Sequence, residues 1–113
     1  DEITLNGITH VSLVENGTTS QQQWSAEDFG QQSSSLESLE VGDAVESAAM
    51  IRTVLDGQSG PARDIVVLNA AAAIWLATPD TSLEQAAQQA IAAIESGASA
   101  ELLDQLARLS QGT

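Results

Sequence analysis

One helical segment, residues 60–77, constrains most strongly how this chain can fold. Its sequence, GPARDIVVLNAAAAIWLA, has apolar side chains on every face and one amide, Asn69, in the middle. Pro61 suits the first helical position, Asp64 places negative charge in the first turn, and Thr78-Pro79 ends the helix. A helix without a polar face must be buried on all sides. One hairpin and three other helices provide too little material to cover it, so we infer that the chain is part of a larger body.

Composition narrows the class of protein and its partners. The 113 residues fit one domain, and an aromatic content of 3% leaves Ala, Val, Ile and Leu to fill the core. Sixteen acidic residues against three arginines give a formal net charge of −13, which repels phosphate backbones and anionic lipids. We therefore expect no nucleic-acid or membrane partner. Because no cysteine is present, disulfides and thiolate chemistry are excluded. The first residue is Asp rather than Met, which leads us to expect a missing N-terminal segment.

Short strands and a hairpin are predicted for residues 1–30, and a loop for residues 31–42. Asn16-Gly17 marks the hairpin turn, since this pair tolerates the positive φ values of a tight turn. Before the turn, the apolar Val11 and Leu13 alternate with polar residues, as expected of a half-buried strand. The predicted elements are a first strand at Ile3-Thr4-Leu5, hairpin strands at Thr9–Val14 and Thr18–Trp24, and a capped turn from Ser25 to Gly30.

Four helices are predicted for residues 43–111. Asp43 with Glu46, and Thr81 with Glu84, have capping-box spacing and begin the first and third helices. The helices carry apolar faces at Val45, Ala48, Ala49, Ile51 and Leu55, then at Leu83, Ala87, Ala90, Ile91 and Ile94, and finally at Leu102, Leu103, Leu106 and Leu109. Strands at one end and helices at the other suggest an α+β domain if the chain is complete. In a C-terminal piece, the same order would close an α/β sheet begun upstream.

The adjacent acids Asp1 and Glu2 are the candidate metal ligands. In extended backbone, neighbouring carboxylates point to opposite sides, so they can hold two ions, or one directly and another through water. Hard oxygen ligands suit Mg²⁺, which commonly binds through one or two carboxylates plus substrate phosphates. From the residues alone, an acidic tail on an acidic protein is the alternative.

Other polar residues have structural interpretations. His10, the only histidine, is expected at the surface of a strand, and no nucleophile elbow accompanies it. Asn69 must be hydrogen-bonded inside its apolar helix, and we expect a tie to a neighbouring loop. Arg63 and Asp64 suggest a capping and ion-pair arrangement, while Asn16-Gly17-Thr18 is better explained as a turn than as a glycosylation acceptor. The isolated glycines form no phosphate-binding loop.

Several short segments are specific as an ordered set. They are Asp1-Glu2-Ile3 leading into Leu5 and Gly7-Ile8-Thr9, Ala26–Gly30, Gly42-Asp43-Ala44, Gly60–Asp64, Leu68–Ala71, and Ser96-Gly97-Ala98. Together they resemble the C-terminal part of the anthranilate phosphoribosyltransferase family, over essentially the whole chain. The chain departs from the family's usual pattern at Ile8, Val41 and Ser47, where Pro, Gly and Asn are usual. These departures concern turn and helix-start geometry more than chemistry.

The resemblance implies an α/β fold in which residues 1–113 form the C-terminal portion of a nucleoside phosphorylase/phosphoribosyltransferase-type domain. It implies transfer of the 5-phosphoribosyl group from phosphoribosyl pyrophosphate to anthranilate, in cytoplasmic tryptophan biosynthesis. It assigns Asp1 and Glu2 to the Mg²⁺ ions that accompany the diphosphate, and it assigns no catalytic residue to this chain.

The resemblance also implies that essential parts lie outside the chain. The family's glycine-rich diphosphate loop, its basic anthranilate loop and the helical domain that forms its homodimer are not in the sequence, so we expect the chain alone to be inactive. The alternatives are a non-catalytic interaction or regulatory domain of the same fold, a pyrimidine nucleoside phosphorylase relative, and an unrelated acidic helical module that folds alone.

Overall fold

A computed structural model describes residues 2–78 and 80–112 of the chain. An antiparallel hairpin of two strands is followed by four helices, which confirms the predicted order. Two short 3-10 turns, Ala26–Phe29 and Glu37–Leu39, lie between the hairpin and the first helix. The strands and helices are β1 (Thr9–Glu15), β2 (Thr18–Trp24), α1 (Ala44–Leu55), α2 (Pro61–Ala77), α3 (Leu83–Glu95) and α4 (Ala98–Ser110).

The hairpin is built around the predicted turn. Asn16 and Gly17 have φ values of 53° and 77°, and the flanking Glu15 and Thr18 are paired across the strands. Both central residues therefore occupy the left-handed region that a tight hairpin turn requires. Alternation along β1 is also confirmed, because Val11 is half-buried and packs against the core while its polar neighbours are exposed.

Aromatic contacts attach the hairpin to the helices. Trp24, the last residue of β2, is buried between Phe29 and Trp75 of α2. Both ring pairs are edge-to-face, with centroids 5.7 Å apart for Trp24–Phe29 and 5.3 Å apart for Trp24–Trp75. This arrangement is favoured by the ring quadrupoles. Phe29 ends the first 3-10 turn, in which Asp28 Oδ2 accepts from Ser25 N–H at 2.9 Å.

The predicted strand at Ile3–Leu5 is wrong, because the structure assigns no strand within residues 2–8. Leu5 is fully buried, but the backbone here is bonded to side chains and to a loop instead of a sheet. Thr4 N–H donates to Thr9 Oγ1 at 3.0 Å, and Ser34 N–H donates to the Leu5 carbonyl at 3.4 Å. The apolar side chains of this segment, Ile3 and Leu5, therefore pack in or against the core and do not form part of a sheet.

Helix starts follow local capping chemistry, with two shifts of register. Asp43 Oδ1 accepts from Glu46 N–H at 2.8 Å as predicted, but the Glu46 carboxylate accepts from Gly42 N–H at 2.6 Å, one residue earlier than a capping box requires. The predicted Thr81–Glu84 cap is wrong by one residue. Ser82 and Gln85 form the box, since each side chain bonds the other's backbone N–H at 3.1 Å.

Packing of α2 on α3 forms the centre of the core. Burial of α2 on every side, however, is not found within this chain: Val66 is 41% exposed and Leu76 68% exposed. The predicted stripe of α1 is likewise uncovered at Val45 and Ile51. The chain supplies too few elements to cover these surfaces. Residues buried in the core are Leu5, Trp24, Ala26, Phe29, Val54, Val67, Leu68, Ala71, Ala86, Ala87, Ala90 and Ile94.

The last helix, α4, also presents leucines to solvent. Leu102, Leu106 and Leu109 are 63%, 59% and 73% exposed. Arg52 of α1 contacts this helix through an ion pair with Asp104 at 2.7 Å, and both side chains are about half exposed. Among the described residues, no helix has the length and apolar character needed to cross a membrane.

Candidate metal centre

The predicted metal ligands lie at the beginning of the chain. Asp1 is outside the described residues, so its role remains a prediction. Glu2 is exposed and immediately precedes Ile3, whose side chain is half-buried against the core. The carboxylate of Glu2 is thus available at the surface, one residue from a point where the backbone is held.

The side chain of Asn69 binds the backbone of Ile3. Ile3 N–H donates to Asn69 Oδ1 at 3.0 Å, and Asn69 Nδ2 donates back to the Ile3 carbonyl at 3.0 Å. Asn69 Nδ2 also donates to the carbonyl of Ile65, one helical turn earlier, at 3.0 Å. The expected structural tie of Asn69 is therefore confirmed, and its partner is the segment that follows the acid pair.

The helix fixes the carboxamide because its neighbours are in the core. Val67, Leu68 and Ala71 of α2 are completely buried around Asn69. The orientation of the amide follows from its partners, since a backbone N–H can only donate and a carbonyl can only accept. Both the oxygen and the nitrogen of the side chain are hydrogen-bonded, as a half-buried polar group in an apolar helix requires.

Arg63, near the start of α2, forms an ion pair with the next helix. Arg63 lies 3.7 Å from Glu95 in an ion pair that joins α2 to α3, and its charge also acts on the neighbouring Asp64. The Arg63 Nε atom is buried without a hydrogen-bond partner among the described residues. Burial raises the pKa of Asp64, and the charge of Arg63 opposes that rise.

Among the described residues, acids and histidines do not form a ready-made metal cluster. Within residues 2–78 and 80–112, no group of three His, Cys, Asp or Glu side chains could hold a metal ion. His10 is exposed on β1 and faces Gln23 across the hairpin, as expected of a surface strand residue. Of the two predicted ligands, the described residues contain Glu2, and a metal ion held there would be completed by Asp1, water and substrate.

A separate apolar groove was missed by sequence reasoning. It has a volume of about 250 Å³ and lies between α1, α2 and the turn Glu37–Leu39. Apolar side chains of those elements line it, among them Leu39, Met50, Ile51, Ile65 and Val66. Periodicity within one helix could not locate this groove, because it is formed by three elements together. Its lining is suited to packing rather than to chemistry.

Comparison with known proteins decides the family. Residues 1–100 match the family described as the glycosyl transferase family, a/b domain. The chain belongs to this family. The match begins at the acid pair and extends into α4. Because the matched family is described as an a/b domain, the predicted α/β fold class is confirmed.

Three curated relatives of this glycosyl transferase family member each bear the name anthranilate phosphoribosyltransferase. The protein from Thioalkalivibrio sulfidiphilus is 46% identical over 106 residues, which cover 94% of this chain and 31% of the relative. Those from Nitrosospira multiformis and Methanocorpusculum labreanum are 42% and 44% identical, over 97% and 99% of this chain. The chain spans 31–33% of the length of these three relatives.

Proposed function

We propose that the chain is the C-terminal segment of an anthranilate phosphoribosyltransferase. The complete enzyme would transfer the 5-phosphoribosyl group from phosphoribosyl pyrophosphate to the amine of anthranilate, with release of pyrophosphate, in the cytoplasmic synthesis of tryptophan. The observation that carries this proposal is the 42–46% identity, over 94–99% of the chain, to three proteins that bear this name.

Asp1 and Glu2 would hold Mg²⁺ in this enzyme. The donors fit, because carboxylates are hard oxygen ligands and Mg²⁺ commonly combines one or two of them with water and substrate phosphates. Such a fit does not need the three-residue cluster that the described residues lack. Bound there, Mg²⁺ would neutralise negative charge on the diphosphate leaving group. It would also reduce the repulsion between the anionic substrate and a chain of net charge −13.

The residues of this chain would bind and orient rather than react. Glu2 would supply a ligand from an exposed position, and the bonded Ile3 would limit how far that ligand moves. The chain's core, in which α2 packs on α3, would support this corner. No side chain of the chain is proposed to take or give a proton.

The remaining two thirds of the enzyme would supply the anthranilate site, the diphosphate-binding loop and the helical domain of a homodimer. Support comes from the apolar surfaces that this chain leaves open: Val66 and Leu76 of α2, the leucines of α4 and the groove beside α1. The exposed leucines of α4 are spaced to share one helix face, and an exposed apolar face marks a contact with further protein. We therefore expect the chain alone to be inactive.

An assay of the complete polypeptide tests the proposal. Anthranilate-dependent consumption of phosphoribosyl pyrophosphate should require both the complete polypeptide and Mg²⁺, and a chelator should abolish it. The purified chain of residues 1–113 is the matched control and should show no turnover. Phosphorolysis of pyrimidine nucleosides, or no turnover by the complete polypeptide, would contradict the proposed reaction. Turnover by residues 1–113 alone would contradict the proposal that the rest of the enzyme supplies the anthranilate site and the diphosphate-binding loop.

A further inference from the structure

We propose that Asn69 is a positioning residue for the metal-binding acids, because its carboxamide fixes the backbone of Ile3 and thereby the place of Glu2. This inference depends on the proposed magnesium role of Asp1 and Glu2. It adds to that role a residue far along the sequence, separated from Ile3 by 66 positions.

The geometry of the contact is the first support. Asn69 bonds both the N–H and the carbonyl of Ile3, each at 3.0 Å. Two bonds to one residue restrict its rotation as well as its displacement, in the way that a paired residue in a sheet is restricted. The peptide that joins Glu2 to Ile3 contains the bonded N–H, so the constraint reaches directly to the carbonyl side of Glu2.

The third hydrogen bond of Asn69 supports the same role. Its bond to the Ile65 carbonyl, at 3.0 Å, occupies the amide hydrogen that Ile3 does not use and ties the carboxamide to its own helix. Because Val67 and Leu68, within that turn, are completely buried, the helix is itself fixed in the core. The hydrogen bonds of Asn69 thus link the buried helix to the backbone beside the exposed Glu2 carboxylate and restrict the movement of that carboxylate.

The residue type is specific for this task. Leucine has nearly the same shape but neither donates nor accepts a hydrogen bond. Aspartate can still accept from Ile3 N–H, yet it cannot donate to the Ile3 and Ile65 carbonyls when ionised. Partners that orient metal ligands typically contribute about 10- to 100-fold to metal affinity. We therefore expect substitution of Asn69 to weaken metal binding about tenfold while leaving the ligands in place.

The experiment uses the complete polypeptide with Mn²⁺ as a paramagnetic probe for the Mg²⁺ site, in the presence of phosphoribosyl pyrophosphate. Electron paramagnetic resonance would give the Mn²⁺ dissociation constant for the wild type, Asn69→Leu and Asn69→Asp. Val54→Ala, in the buried core of α1, is the control for general destabilisation. Hydrogen exchange of the peptide that contains Ile3 gives an independent readout of the held backbone.

The expected result is a dissociation constant about tenfold higher in both Asn69 variants, with faster exchange at Ile3 and wild-type values for Val54→Ala. Turnover should recover at high Mg²⁺, which a general loss of folded enzyme would not allow. The Asn69→Asp variant decides the matter if Asn69→Leu does not fold. Its added negative charge would by itself favour a cation, so weaker binding must come from the lost bonds.

Two outcomes overturn the inference and are distinguishable. If both Asn69 variants bind Mn²⁺ as tightly as Val54→Ala or more tightly, Asn69 has no positioning role, while the proposed function stands. A Glu2→Gln variant with unchanged Mn²⁺ affinity, measured in the same series, would remove the metal role of Glu2 and the positioning role of Asn69 with it.

Discussion

Asn69 and Ile3 form a reciprocal pair in which the side-chain amide of one residue bonds both backbone polar groups of the other, at 3.0 Å each. The pair joins the middle of the most apolar helix to the first described residues of the chain. A polar residue inside an apolar segment is thus explained by a partner that lies outside the helix.

Replacing Asn69 by leucine should destabilise the folded protein. The change leaves Ile3 N–H and its carbonyl without protein partners at a half-buried place, and it removes a bond to Ile65. Unsatisfied buried groups cost about 1–3 kcal/mol each, and partial exposure to water keeps the total near the lower end of that range. Denaturant unfolding of the complete polypeptide measures the change. A variant of full stability would contradict the structural role of Asn69.

Replacing Trp24 by alanine should release the hairpin from the helices. Trp24 contacts both Phe29 and Trp75, and large-to-small changes at buried aromatic positions cost about 3–5 kcal/mol. Amides of residues 9–24 should then exchange faster, while those of α2 and α3 change less. Trp24→Phe, which keeps a ring at this place, is the matched control. Unchanged protection of the hairpin in Trp24→Ala would show that Trp24 does not anchor it.

Asp64 should give stability a pH dependence of known sign. Burial raises its pKa in the folded state, so the folded protein binds the Asp64 proton more tightly than the unfolded chain does. The free energy of unfolding therefore falls as pH rises from the ordinary aspartate pKa through the raised value. Asn cannot ionise, so the stability of Asp64→Asn relative to the wild type should rise across that window. Unfolding experiments at several pH values measure this difference, and no pH dependence would contradict it.

Glu27 should give stability the opposite pH dependence to that of Asp64, because its pKa is lowered, and it serves as the comparison. Hydrogen bonds from its own backbone N–H and from Ser33 lower its pKa, and the Ser33 hydroxyl donates to Glu27 Oε1 at 2.9 Å. Its contribution is complete above the ordinary glutamate pKa and is lost as pH falls through the lowered value. The relative stability of Glu27→Gln should therefore fall as pH rises through that range. The same slope for Glu27→Gln and Asp64→Asn would contradict both assignments.

The isolated chain should expose apolar surface that the complete polypeptide covers. Leu102, Leu106 and Leu109 on α4, with Val45 on α1, are all more than half exposed in this chain. A hydrophobic dye should bind residues 1–113 and not the complete polypeptide, and the isolated chain should self-associate. A Leu106→Glu variant of the isolated chain should show less dye binding and less self-association. A monodisperse chain that melts cooperatively without binding dye would instead support an independent acidic module.

Local signals in the sequence were sufficient for much of the fold. Asn16-Gly17 determines the hairpin turn through backbone conformation, and Pro61 begins α2 as the first helical residue. Such features depend on neighbours within a few positions. The start of α3 was predicted one residue too early, because Thr81 and Ser82 both have capping side chains and the structure uses Ser82.

Features that depend on distant surfaces could not be predicted. The partner of Asn69 is 66 residues away, and no periodicity links the two positions. Ile3–Leu5 has the composition of a strand, but a strand also needs a neighbour to pair with, which the described residues do not provide. The exposure of Val66 and Leu76 could not be predicted either. Apolar periodicity identifies the helix face that is stabilised by burial, but it does not show which protein segment covers that face.

Linkage between Mg²⁺ and phosphoribosyl pyrophosphate tests the central claim most directly. Calorimetric titration of the complete polypeptide should show that each ligand tightens the binding of the other, since both would meet at Asp1 and Glu2. In a variant with alanine at both positions, we predict that this coupling and the anthranilate-dependent turnover are lost. Unchanged turnover with an unchanged requirement for divalent ions in that variant would contradict the account.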